Sequence, residues 1–175
     1  MSDAATRPAR FADRALTLAE RAFMTVAVLS LVAMVLSVSA DAIGRYLFRA
    51  PLSGNYEFTS LFAMVALTFM GMPGTYATGG HIRLTFFTPY LERIPGRISE
   101  RINVILALVA FALLAWISGQ EAIHKFAVNE TTLGAVQFPM YWSYVWVPLG
   151  SGLLCLRLVY ELFVPQERTS GEILE

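Results

Sequence analysis

The sequence predicts an all-α integral membrane protein with four transmembrane helices and an amphipathic interfacial segment between helices 2 and 3. Three observations predict it. Of 175 residues, 56% are hydrophobic and only 15% charged, against about 25% charged in a typical soluble domain. The charges cluster and leave four uncharged windows of at least nineteen residues, at 22–40, 58–79, 102–120 and 138–156. A helix crosses a hydrocarbon core with about 20 such residues. Lys and Arg are also divided unequally between the segments that join the windows.

The first 21 residues carry Arg7, Arg10, Arg14 and Arg21 and read as a cytoplasmic N-terminal segment. The first window has a rival reading as a secretory signal, because "SVSA" before Asp41 has the small residues of a cleavage site. A leader of mixed charge, and an apolar run longer than the usual 7 to 15 residues, favour a retained helix. The window ends in "DAIGRYLFRAP". On a helix Asp41, Arg45 and Arg49 stand at i, i+4 and i+8, share one face and can pair along it. The helix is expected to continue to about Arg49 before Pro51 ends it. Some 28 helical residues would reach roughly 42 Å and lift the stripe to the outer headgroups.

The second window opens with Glu57, a position where the helix dipole favours a carboxylate; a pair with Arg45 or Arg49 is the functional alternative. Pro73 here and Pro148 in the fourth window are expected to kink their helices, since a bundle can re-satisfy freed backbone groups. Gly71, Gly74, Gly150, Ser151 and Gly152 let helices approach closely, either within this chain or against a partner. Between windows two and three, Leu84, Phe87, Leu91, Ile94 and Ile98 recur at steps of three and four, with Arg83, Glu92, Arg93, Arg97 and Glu100 elsewhere on the turn. That pattern predicts a segment lying along the membrane surface, against lipid or a partner's flank. Phe138, Tyr141, Trp142, Tyr144 and Trp146 gather at one end of the fourth window, as an interfacial aromatic belt or a partner contact.

Orientation follows from the basic residues. The leader holds four, the segment between windows two and three holds Arg83, Arg93, Arg97 and Arg101, and the tail holds Arg157 and Arg168; opposite lie only Arg45, Arg49 and Lys125. Ten against three places both termini in the cytoplasm. The membrane domain then spans 22–164, with a cytoplasmic tail at 165–175.

No window has an ionisable residue at mid-depth, where a transport or catalytic site would show one. Asp41, Glu57, Glu121 and Glu161 all stand at window ends. The single cysteine, Cys155, can form no intrachain disulfide. His81 and His124 fall on opposite sides of about 30 Å of hydrocarbon and cannot share one haem. "GMPG" and "TGGH" lack the strand and helix context of a phosphate loop. No catalytic residue, cofactor or metal site is therefore expected, and no nucleic-acid partner. Asp41, Arg45, Arg49, Glu57, His81, Arg83, Trp142 and Trp146, at the membrane boundaries, are the candidates for contact with a partner. A small membrane protein without a site of its own is usually a subunit.

The chain resembles the small membrane subunit of tripartite ATP-independent periplasmic (TRAP) transporters, the DctQ-like small permease family. The resemblance rests on "DAIGRYLF" followed by Pro51, Glu57 opening the second span, "LFAMVALTFMG", "GGHIR" at 79–83 and "FPMYWSYVWVPLGSGLLCLR" at 138–157. The chain departs from the family where "GNY" stands in place of a Trp before the acidic residue, and where Thr85 replaces an Asp after the His-Ile pair. The resemblance implies a bacterial inner-membrane complex: a periplasmic solute-binding protein captures an organic acid, a large permease subunit moves it with sodium ions, and the small subunit widens the stationary scaffold in the lipid bilayer. Two rivals stand beside it, a membrane anchor of a respiratory oxidoreductase and a self-contained small transporter.

Overall fold

The computed structural model describes residues 6–78, 96–132 and 136–163. Four helices there are long and apolar enough to cross a membrane: α1 (Thr6–Leu47), α2 (Asn55–Ala77), α3 (Gly96–Val128) and α4 (Tyr141–Phe163). The described residues are all-α and run up and down, so the start of α1 and the end of α4 share one end, the terminal end. The α1–α2 and α3–α4 connections share the other, the loop end.

α1 is unbroken over 42 residues, about 63 Å at ~1.5 Å per residue. From Thr6 onward the charged leader is helical and continuous with the first span. At the other end the helix stops at Leu47, short of the Arg49 that the spacing of charges suggested. Arg49 is left-handed, with φ 53°, and the Phe48 and Ala50 N–H groups both return to the Gly44 carbonyl, at 3.1 and 3.0 Å. Pro51 has no N–H to continue the ladder, and the chain turns just before it.

α2 opens with one turn, Asn55–Glu57, followed by a π-helical stretch, Phe58–Ala63, and then regular α-helix from Met64. The π stretch shifts the hydrogen-bond ladder, and the buried Ser143 hydroxyl of α4 donates to the Leu61 carbonyl within it. The amphipathic segment expected at 82–101 lies outside the described residues up to position 95. Residues 96–101, Ile98 among them, are the first turns of α3 and continuous with the third span.

The helices form a single-layer row rather than a closed bundle. α1 packs on α2, α2 on α4 and α4 on α3, with only a slight contact between α1 and α4. Glycines set these approaches. A Cβ on Gly74 would lie 3.4 Å from Met24 Cβ and one on Gly71 3.6 Å from Ala27 Cβ, so both face α1. Gly119 of α3 meets the Pro148 ring of α4. Gly150 is the tightest: a Cβ there would stand 2.1 Å from the Phe69 carbonyl oxygen of α2. That carbonyl would bond the N–H of residue 73, which is the buried Pro73 and has none. The Cα–H of Gly150 fills the place of the missing donor, a contact recurrent at close helix crossings. Gly152 faces open space. Both α2 and α4 remain helical through their prolines.

Candidate partner interface

At the loop end the polar groups come from three segments. Asp41 is buried on the last turns of α1. One of its carboxylate oxygens accepts from Arg45 Nη2 at 2.7 Å, and the other accepts the Leu52 N–H at 2.8 Å. The same carboxylate therefore closes an i,i+4 pair and fastens the turn into α2. Arg45 lies outward of it, with its side chain 62% exposed against 12% for Asp41. Arg49, carried off the helical face by its left-handed backbone, makes no ion pair among the described residues. Ser37 and Thr59 both donate to Asn55 Oδ1 and tie α1 to the start of α2. Between these helices lies a cleft of about 270 Å³ whose walls include Asp41, Arg45, Asn55 and Glu57. Glu57 thus shares a cleft with Arg45, but the arginine's carboxylate partner is Asp41.

The other half of this end is a hairpin. Thr131 and Pro139 face each other in a bridge; the buried Thr132 takes part in three hydrogen bonds with residues 136 and 138. Gly54, at φ 82°, lets the α1–α2 turn close on Val136, whose Cβ would stand 2.9 Å from a Cβ there. Phe138 packs edge-on to Phe62 at 5.7 Å. Lys125 is held by Glu130 at 2.6 Å and Glu121 at 3.7 Å, over the Tyr144 ring. Trp142 is exposed beside Tyr141, their ring centres 5.8 Å apart; Trp146, one turn further in, is half-buried. Both tryptophans thus stand near the loop end of α4. His81 and Arg83 lie outside the described residues.

At the terminal end, reading the sequence missed a cluster. Arg157 of α4 is buried; its Nη1 lies 3.3 Å from Asp13 Oδ1 and its Nε 3.6 Å from Glu20 Oε1, both on α1. The side chains of Glu20 and Arg157 are 5% and 8% exposed. Nearby, Tyr76 of α2 donates to Glu161 of α4 at 2.7 Å. The signal was present: Asp13 and Glu20 are seven apart and share a helix face, provided the leader is helical. Treating residues 1–21 as a flank concealed it. Glu20 and Asp41, the two buried carboxylates of α1, are 21 residues apart, about 32 Å along the axis. That is close to the ~30 Å of a hydrocarbon core.

A family model described as "Tripartite ATP-independent periplasmic transporters, DctQ component" matches residues 34–167. The chain belongs to the DctQ family. It is accordingly a multi-pass membrane protein and the small permease component of a tripartite transporter, a family of transporter components rather than respiratory anchors. No curated protein and no solved structure matches it. The matched region of this DctQ chain takes in the loop end, α2 to α4 and Arg157. Asp13 and Glu20 precede it.

Proposed function

We propose that this DctQ chain is the stationary scaffold of a sodium-coupled carrier, supporting uptake of an organic acid that a periplasmic solute-binding protein delivers to a large permease subunit. The observation that carries the reading is the single-layer row, fastened at both ends and filled between them by apolar and small residues. Hydrogen bonds hold α1 to the turn and the start of α2 at the loop end, and ion pairs hold α1 to α4 at the terminal end. The mid-depth contacts are glycine against backbone or methyl. Such a plate presents broad apolar faces to a larger membrane subunit and changes shape only if end contacts break.

The orientation in this proposal is both termini cytoplasmic, in the inner membrane, from the ten to three division of basic residues. The loop end then faces the periplasm, where Arg45, Arg49, Glu57, Trp142 and Trp146 are offered to partners; His81 and Arg83 belong to the cytoplasmic boundary. Single cysteines in a Cys155→Ser background test it. An impermeant thiol reagent added outside should label Ser53→Cys and spare Thr88→Cys, and the reverse pattern inverts the topology. Sodium coupling is tested by uptake of labelled organic acids into vesicles holding all three components. Uptake should follow an imposed sodium gradient; an unchanged rate without sodium contradicts the coupling.

A further inference from the structure

We propose that the groove between α1 and α2, together with Arg14 and Arg21, is a binding site for an anionic phospholipid. The groove has a volume of about 340 Å³ and opens sideways from the row; Met24 and Val28 of α1 and Leu67, Thr68 and Thr75 of α2 contribute to its walls. Its floor is the close approach of Gly71 to Ala27. The two threonines do not make it polar. Thr68 Oγ1 donates to the Met64 carbonyl at 2.8 Å and Thr75 Oγ1 to the Gly71 carbonyl at 2.9 Å, so each hydroxyl is satisfied within its own helix. An acyl chain meets only hydrocarbon and satisfied polar groups there.

Charge selects the headgroup. Arg21 precedes Met24 by three residues and Val28 by seven, so it lies on the groove side of α1. Arg14 stands a further seven residues toward the terminal end, about 10 Å away. Both are exposed, and neither makes an ion pair among the described residues. The acidic residues of this stretch cannot neutralise them at close range: Asp13 and Glu20 are each one position, about 100° of helix, from Arg14 and Arg21 and are turned to Arg157. Arg21 directly precedes the uncharged window that begins at Ala22; with that window in the hydrocarbon, Arg21 stands at headgroup level and Arg14 just beyond it. Two guanidiniums above an apolar groove suit a phosphodiester whose headgroup carries no compensating cation, and guanidinium binds phosphate in bidentate fashion. The inference rests on the chain's membrane placement and is independent of the scaffold role.

The test is lipid titration of the full chain in mixed micelles, read as thermal stabilisation and as lipid retained in native mass spectrometry. Phosphatidylglycerol should bind more tightly than phosphatidylcholine. R14Q and R21Q should each weaken phosphatidylglycerol binding about fivefold, the attraction of one basic side chain to an anionic surface, and weaken phosphatidylcholine, whose choline cation offsets its phosphate, by less. R14K/R21K should keep the preference, and V28W, which fills the groove, should weaken both lipids. Unaltered helix content by circular dichroism certifies each variant. Equal binding of the two lipids by wild type, or an undiminished preference in R14Q/R21Q, overturns the proposal.

Discussion

Arg45 and Arg157 are both arginines in ion pairs, yet burial makes their substitutions unequal, the side chain of the first being 62% exposed and that of the second 8%. Removing Arg157 leaves Glu20 buried without its cation, and breaking such a pair typically costs about 3 to 5 kcal/mol. Arg157→Gln should therefore lower the unfolding midpoint in detergent sharply, and the Glu20→Gln/Arg157→Gln double variant should recover part of the loss. A double variant no better than the single would show that the pair is not the contact that matters. Arg45 is mostly exposed, so Arg45→Ala should change stability by only about 0 to 1 kcal/mol. Asp41→Ala should cost more, because it also removes the acceptor of the Leu52 N–H, a hydrogen bond worth about 0.5 to 1.5 kcal/mol; equal midpoints for the two would refute this. Arg49 offers a cleaner probe of the partner reading. At φ 53° glycine relieves a left-handed strain of roughly 1 kcal/mol, so Arg49→Gly should be as stable as wild type or more so. Lost co-purification or transport in that variant would place the guanidinium against a partner, whereas unchanged assays would make it a helix-end residue only.

Within the helices, Gly150 and Gly152 stand two residues apart and should respond in opposite ways. A methyl at 150 collides with the Phe69 carbonyl and must push α2 and α4 apart, at about 1 to 3 kcal/mol or more. At 152 it meets nothing, and the gain in helix propensity is up to about 1 kcal/mol. Gly150→Ala should thus depress the thermal midpoint while Gly152→Ala leaves or raises it; similar midpoints would refute the packing described for α4. The four helices were legible in the sequence because the bilayer fixes the length of an uncharged run. Which glycine faces which helix was not, since every apolar face reads alike when the surroundings are also apolar. The Gly150 contact depends on a proline in another helix, and no periodicity within α4 reveals it. Arg49 was misplaced for a local reason: Pro51 ends the helix through the residues before it, so the i+8 member of the stripe falls beyond the last turn. The pairing of Arg157 with Glu20 is not legible in the sequence, because it requires a helical leader, a feature that the apolar windows do not record.

For the molecule as a whole, the open row is the feature that a hydropathy pattern cannot supply, because a closed bundle and a row have the same four spans. In the row α1 and α3 stand at opposite edges, three helix-to-helix steps apart. At about 8 to 10 Å per step, a straight row would separate their axes by roughly 24 to 30 Å, and the contact of α1 with α4 at the terminal end makes that the upper bound. In a closed up-and-down bundle, α1 and α3 would lie across a shared core at about half that distance. A scaffold must also hold its shape while the carrier works. Electron–electron double resonance between spin labels at Val32→Cys and Leu113→Cys, in a Cys155→Ser background and in the assembled transporter, measures both properties together. The account predicts one distance distribution between about 16 and 30 Å, two to three helix steps, unchanged on adding sodium, solute and binding protein. A separation near 10 to 15 Å would contradict the row, and a distribution that shifts with transport conditions would contradict the stationary scaffold.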